Sequence, residues 1–274
     1  MDGRADMLPF GPDGQHAVRR LRFGPFQELQ GVIVPKQTGG WNIRPGQRMS
    51  LKLFLTRLLG PWVFSSGAWL YDWMTANSAW QESCANLLDP LPAGAEEGLV
   101  LDLGIGPGVS AIKMGARHSR MRFMGLDLSR LMLKRATFGR EQSGWPARRL
   151  MLVQADAEHL PLAGESFDAA AAHSFLYLLP DYHQALIEAN RVLRPGGLAA
   201  FMEPNADRPD WGWLLRQRSG KLLFTFSIWR FYNWLHGRFS PASLTAAFER
   251  AGFDDVETKS ALGGFGIYGW SRKL

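Results

Sequence analysis

A chain of 274 residues with 46% hydrophobic and 20% charged side chains is long and apolar enough for a folded domain with appendages, which excludes an intrinsically disordered chain. Its single Cys84 excludes an intrachain disulfide and a cysteine-based zinc cluster, and points to a reducing compartment. The net charge of +6 is not spread evenly: residues 1–98 balance nine basic against nine acidic side chains, whereas residues 205–274 carry ten against six.

Residues 1–48, rich in Gly, Pro and Arg, read as an N-terminal arm, with a short strand over Gln27–Val34 and a turn at Thr38-Gly39-Gly40. Asp2, Arg4 and Asp6 leave no apolar signal core at the start. The apolar stretch Leu51–Met74 is broken by Lys52, Arg57, Pro61 and Asp72, so no membrane-spanning helix is expected. Residues 49–98 read as a helical cap. Leu51, Phe54, Leu55, Leu58 and Leu59 recur at helical spacing up to Gly60-Pro61. A second helical stretch runs from Leu70 through Trp80 to Leu87, and Ala95–Gly98 connects it to an apolar run beginning at Leu99.

Leu99–Ala111, LVLDLGIGPGVSA, organises the remainder. An apolar run suited to a buried parallel strand ends in Asp102, Gly104, Gly106 and Gly108, and Pro107, Val109 and Ser110 suit the first turn of a helix. Strand, glycine turn and helix N-terminus make a nucleotide-type site at the carboxyl end of the strand. The dinucleotide fingerprint fails, because Val109 stands at its third glycine, and a P-loop is absent. A carboxylate at Asp102 disfavours phosphate and suits a cation. Strands over Met121–Leu126, Arg149–Ala155, Ala169–His173 and Leu198–Met202 then alternate with helices over 130–139, capped by Ser129, and 182–194, stopped by Arg194-Pro195-Gly196-Gly197. Asp127 stands at ribose-recognition distance from the glycine turn, and Asp168 reads as a structural turn residue.

The D-x-G-x-G-x-G run, Asp127, the segment Asp156-Ala157 through Phe167-Asp168, and RVLRPGG at 191–197 together resemble the class I S-adenosylmethionine-dependent methyltransferases, of the quinone-biosynthesis and small-molecule (type 11) kind, over residues 70–274. The resemblance implies an α/β, Rossmann-like seven-stranded sheet, parallel with one antiparallel closing strand, with N-terminal helices and a helical lid. It implies S-adenosylmethionine as cofactor and S-adenosylhomocysteine as product. It assigns cofactor contacts to Asp102, Gly104, Gly106, Gly108, Asp127, Leu128, Asp156, Ala157 and His173. Tyr71, from a Tyr-Asp pair that precedes the core, would meet the methionine end of the cofactor or the acceptor. The family's Leu-His-His-Leu-Pro-Asp pattern is altered here, with Tyr177 and Leu178 at its polar positions. That leaves His173 and Tyr71 as candidate bases. No metal is expected.

Residues 205–239 interrupt the alternation, with Trp211, Trp213, Trp229 and Trp234 among Arg208, Arg216, Arg218, Lys221, Arg230 and Arg238. Lys221–Leu235 reads as a helix with aromatics around most of its surface. By the resemblance this insertion lines the acceptor pocket with Trp211, Phe226 and Trp229, joined there by Tyr71 and Tyr177, for a large apolar small molecule. Its basic, Trp-rich character is also a membrane-surface signature, and no motif supports nucleic acid. A helix opened by Ser240-Pro241 and strands over 254–259 and 265–271 close a domain spanning 99–274. The expected activity is O- or C-methylation of a quinone, lipid or natural product in the cytoplasm, with peripheral membrane contact as an option. Two rival readings are a cofactor-binding cyclase or isomerase that moves no methyl, and a membrane-associated binding module.

Overall fold

The computed structural model describes residues 26–29, 32–35, 68–91 and 97–274. The helix expected from Leu51 to Leu59, the turn at Thr38–Gly40, most of the arm and part of the Ala95–Gly98 connector lie outside those residues. Nine strands form one sheet: β1 (Phe26–Leu29), β2 (Val32–Pro35), β3 (Leu99–Leu103), β4 (Arg122–Asp127), β5 (Leu150–Gln154), β6 (Phe167–His173), β7 (Leu193–Pro204), β8 (Asp254–Ala261) and β9 (Gly266–Arg272). Their spatial order is β1-β2-β5-β4-β3-β6-β7-β9-β8. The strands from β5 to β8 in that row are the seven expected ones, parallel through β7, with β9 antiparallel between β7 and β8. The switch in strand order falls between β3 and β6, and their carboxyl ends open the crevice where α/β sheets bind ligands.

Two expectations are corrected. The segment read as one strand, Gln27–Val34, is instead two strands paired antiparallel across two intervening residues, and β2 lengthens the sheet beside β5. The RPGG stop at Arg194–Gly197 lies inside β7, because Leu193 already pairs with Phe167 before the register shifts and resumes at Leu198 with Ala169. Gly196 takes a positive φ of 77°, and the bulge is tied down by Gly196 N–H to the Lys273 carbonyl at 2.7 Å.

Period-two alternation sends side chains to two layers. Leu99, Leu101 and Leu103 of β3 join Ala170, Ala172, Ala199 and Phe201 on one face, under α5 (Tyr182–Val192) and α8 (Pro241–Arg250). Val100, Ala169, Ala171, Leu198 and Ala200 face the other layer, made by α2 (Ser78–Ala85), α3 (Val109–Arg117), α4 (Arg130–Gln142), α6 (Trp211–Arg216) and α7 (Gly220–His236). The 70–87 stretch is divided into α1 (Ala68–Thr75) and α2 by Asn77, whose side chain accepts the Trp80 N–H at 2.9 Å as an N-cap.

Asp168 joins the amino-terminal ends of three core strands. Its Oδ2 accepts the Leu99 N–H at 2.7 Å, and its Oδ1 pairs with Arg194. Asp168→Ala leaves that N–H without its acceptor and is expected to lower stability by about 1–3 kcal/mol, read from the midpoint of urea unfolding.

Candidate functional site

The site is built at the carboxyl ends of the core strands. β3 runs into a turn in which Gly104 (φ 63°) and Gly106 (φ 55°) are left-handed, and Gly108 serves as N-cap of α3. A Cβ on Gly104 would overlap the Phe175 ring, so only glycine fits between backbone and ring. A Cβ on Gly106 would meet nothing nearer than 4.0 Å, the Tyr71 ring and the Gly104 carbonyl, so that backbone faces a space.

Two carboxylates fix this turn. The Asp102 side chain is fully buried; its Oδ2 accepts the Ser110 hydroxyl at 2.6 Å, and its Oδ1 has no hydrogen-bond partner. Burial pushes its pKa up to about 7, opposed by the Ser110 hydroxyl and the Ala111 N–H. Asp127 accepts the Gly106 N–H at 3.0 Å on one oxygen and the Ser129 N–H at 2.7 Å on the other. Burial raises its pKa, while those N–H groups oppose the shift. Each Asp127 oxygen keeps a lone pair that can accept from a diol. An orphaned buried carboxylate oxygen, a diol acceptor and an open glycine backbone fit a cationic nucleoside, and so fit S-adenosylmethionine. Leu128 beside Asp127 is 53% exposed, an apolar rim. Asp156 is half-buried, its Oδ1 accepting the Glu158 N–H at 2.9 Å, and Ala157 is buried next to it.

α1 lies over the turn. It is held by the Asp72–Arg135 ion pair to α4 and by Lys221 Nζ donating to the Ala76 carbonyl at 2.6 Å. Burial first, then Cys84 and three carboxylates, push the Tyr71 phenol far above its ordinary value. It is a neutral hydroxyl at any working pH.

His173 closes the far wall. Its Nε2 lies 2.8 Å from Ser83 Oγ, and Ser83 donates its only proton to the Trp80 carbonyl at 2.8 Å. Nε2 therefore carries the hydrogen, and Ser83 accepts it. Burial against Trp80, 4.7 Å between ring centroids, pushes the imidazole pKa down to about 3. A ring this weakly basic is a wall and a hydrogen-bond partner, which corrects the expectation of a base.

Next in the chain, Ser174 adopts a positive φ of 58°. It receives the Trp229 Nε1–H at 3.0 Å and donates to the Tyr177 hydroxyl at 3.2 Å. Tyr71 is near enough to contribute to the raised pKa of Tyr177. Tyr71, Tyr177 and Trp229 are thus brought together. Two expected pocket residues are not. Phe226 is wholly buried behind Trp229, among Trp213 and Phe265, and Trp211 rests edge-on upon Phe265 with 43% of its surface exposed. Helix periodicity turns Phe226 into the core, and the separate helix α6 carries Trp211 to the outside.

Sequence reasoning passed over Glu203. Fully buried at the end of β7, it accepts the N–H groups of Phe175 (3.0 Å), Leu176 (2.8 Å) and Tyr177 (3.4 Å). Burial pushes its pKa up to about 7. The available signal was a carboxylate ending an apolar strand, the same pattern that marked Asp102 and Asp127.

Residues 101–201 match the family described as "Methyltransferase domain". Over 155 residues the chain is 35% identical to a demethylmenaquinone methyltransferase of Staphylococcus carnosus, covering 52% of this chain and 61% of that protein. Over 108 residues it is 37% identical to a malonyl-(acyl-carrier protein) O-methyltransferase of Geobacter sulfurreducens, covering 39% of each. The chain therefore spans less than two thirds of these relatives. Its fold is shared with phosphoethanolamine N-methyltransferase 2 of Haemonchus contortus, solved with S-adenosyl-L-methionine, at a TM-score of 0.59 and 16% identity, covering 82% of this chain and 60% of that one.

The two glycines are expected to fail differently. Gly104→Ala combines left-handed strain with overlap on Phe175 and should cost about 3 kcal/mol in urea unfolding. Gly106→Ala should cost only about 1 kcal/mol of strain while weakening ligand binding at the turn. Glu203 supplies a pH signature. A carboxyl whose folded pKa is raised binds protons more tightly when folded, so its stabilisation is complete below its unfolded pKa and is lost as pH rises to about 7. Subtracting the stability-versus-pH curve of Glu203→Gln from that of the wild type removes the Asp102 and His173 contributions. The difference should fall between about pH 4.5 and 7.

Proposed function

We propose that this chain, a class I S-adenosylmethionine-dependent methyltransferase by the match of residues 101–201 to the methyltransferase domain, transfers a methyl group to an apolar small molecule. In this reading residues 99–274 form the catalytic domain, residues 68–91 part of its cap, and residues 205–239 its cover. The acceptor is a quinone, lipid or natural product methylated at oxygen or carbon, and the setting is cytoplasmic. The observation that carries the reading is the glycine turn: it is held by Asp127, backed by the unpartnered Asp102 oxygen, and faced by an aromatic wall without a basic group.

S-adenosylmethionine supplies, when bound, an electrophilic methyl on a cationic sulfur that leaves as a neutral thioether. Asp102 would neutralise the amino group, Asp127 would hold the ribose hydroxyls, Leu128 would lie on the adenine, and Asp156 with Ala157 would meet its edge. Tyr71 and Tyr177 donate hydroxyls toward the acceptor side. Trp80, His173 and Trp229 exclude water there. The remaining contribution of the protein is alignment of acceptor with methyl. Neither His173 nor Tyr71 takes a proton near neutrality, which favours an acceptor that ionises readily by itself, as an acidic phenol, a carboxylic acid or a stabilised enol does. The relatives' names, one a demethylmenaquinone methyltransferase and one a malonyl-(acyl-carrier protein) O-methyltransferase, support acceptors of that kind.

The decisive assay offers methyl-labelled S-adenosylmethionine with a panel of such acceptors and reads product mass. A gain of one methylene unit is expected. Product of unchanged mass but altered structure would instead support the cyclase or isomerase reading, and no product from any acceptor would count against both. His173→Asn should lower kcat/KM by less than about tenfold, because removal of a true general base costs on the order of 100- to 10,000-fold.

A further inference from the structure

The outward face of α7 is apolar along its whole length. Leu223, Phe224, Ile228, Phe231 and Trp234 are exposed, at helical spacing, while Leu222, Thr225, Phe226, Trp229 and Asn233 are turned inward. Phe231 and Trp234 are 61% and 63% exposed and stack on each other at 6.1 Å. Trp73 of α1 meets Phe224 edge-on at 5.9 Å, so the patch continues onto the cap helix. A contiguous patch of large apolar side chains at this exposure marks an interaction surface.

The charges that the insertion carries from Trp211 onward are of one sign, with Asp207 and Asp210 on the segment before it and Asp72 beside Trp73. From Trp211 to Phe248 the chain contains no Asp or Glu, but it contains Arg216, Arg218, Lys221, Arg230 and Arg238. Arg230 and Arg238 are turned onto carbonyls, at 3.1 Å to Asp207 and 2.8 Å to Arg230. Arg216 pairs with Asp210 at 2.7 Å. Arg218, exposed, and Lys221, over the Trp73 ring at 5.0 Å, stand where the patch begins.

We propose that α7 docks this face onto an anionic lipid bilayer. The helix lies in the plane of the interface, with Phe224, Ile228, Phe231 and Trp234 among the upper acyl chains and Arg218 and Lys221 toward the headgroup phosphates. A bilayer with negative headgroups satisfies both the apolar face and the basic residues at its start. No described helix is long and apolar enough to cross a membrane. The inward face of α7 carries Trp229, so docking sets the candidate acceptor wall one helix thickness from a reservoir of apolar molecules. The surface stands independently of methyl transfer, and its test requires none.

The full chain is sedimented with vesicles of phosphatidylcholine alone and of phosphatidylcholine with phosphatidylglycerol. Expected is binding to the anionic vesicles, weakened by added salt, and weakened about tenfold or more by the pair Phe231→Ser, Trp234→Ser. The change Arg218→Gln should weaken it by a smaller factor. Arg218, Phe231 and Trp234 are exposed, so circular-dichroism melting should be unchanged in both variants, and the lipid and salt dependence of the wild type is read without them. Absence of binding, equal binding to both vesicles, or indifference to the aromatic pair would overturn the proposal. So would a concentration-dependent dimer that the aromatic pair abolishes, since it would make a second copy the occupant.

Discussion

The bond from the Gly106 N–H to the Asp127 carboxylate holds the working end of this molecule in place. A turn with two left-handed glycines has much conformational freedom to lose, and an open one would have no reason to settle in one shape. The parallel register sets Leu103 opposite Leu126, so Asp127 falls beside the start of the turn. Ile105 N–H reaches the Leu126 carbonyl at 2.9 Å, and Gly106 N–H reaches Asp127 next to it. Neighbouring strands thus shape each other's ends, and the carboxylate that does so keeps lone pairs facing the crevice.

The same device recurs across the switch point. Glu203 at the end of β7 gathers the N–H groups of the turn after β6, as Asp127 at the end of β4 gathers one from the turn after β3. The two turns then meet, because Phe175 from one packs on Gly104 of the other. Ser174, held in a left-handed conformation between them, links Trp229 of the cover to Tyr177 of the wall. One buried network therefore joins the glycine turn, the Tyr177–Trp229 wall and α7. Through it the insertion after β7 is tied to the turns at the ends of β3 and β6.

Much of this was legible in the residues. Apolar strands that end in Asp102 and Asp127, separated by helical segments with caps at Ser129 and Ser240, specify a parallel sheet and the place of its crevice. What was not legible depends on long-range geometry. The left-handed Ser174 has no sequence mark. RPGG has the composition of a turn, yet pairing of Leu193 with Phe167 makes it a bulge within β7. His173 looked like a base because histidine titrates near neutrality in water, and it is enclosure by Trp80 and Ser83, 90 residues earlier in the chain, that removes its basicity. The helix read as carrying aromatics on most of its surface divides into a buried face with Phe226 and an exposed one with Phe231, a division set by its packing on Trp80 and Trp213.

The central claim, that the carboxylate-braced glycine turn binds the cofactor, is tested most directly by calorimetric titration of S-adenosylhomocysteine into the wild type and Asp127→Ala. Saturable binding by the wild type, with an affinity at least about tenfold lower in the variant, is the result this account predicts. A well-folded wild type that takes up no ligand, or equal affinity in the two proteins, would contradict it.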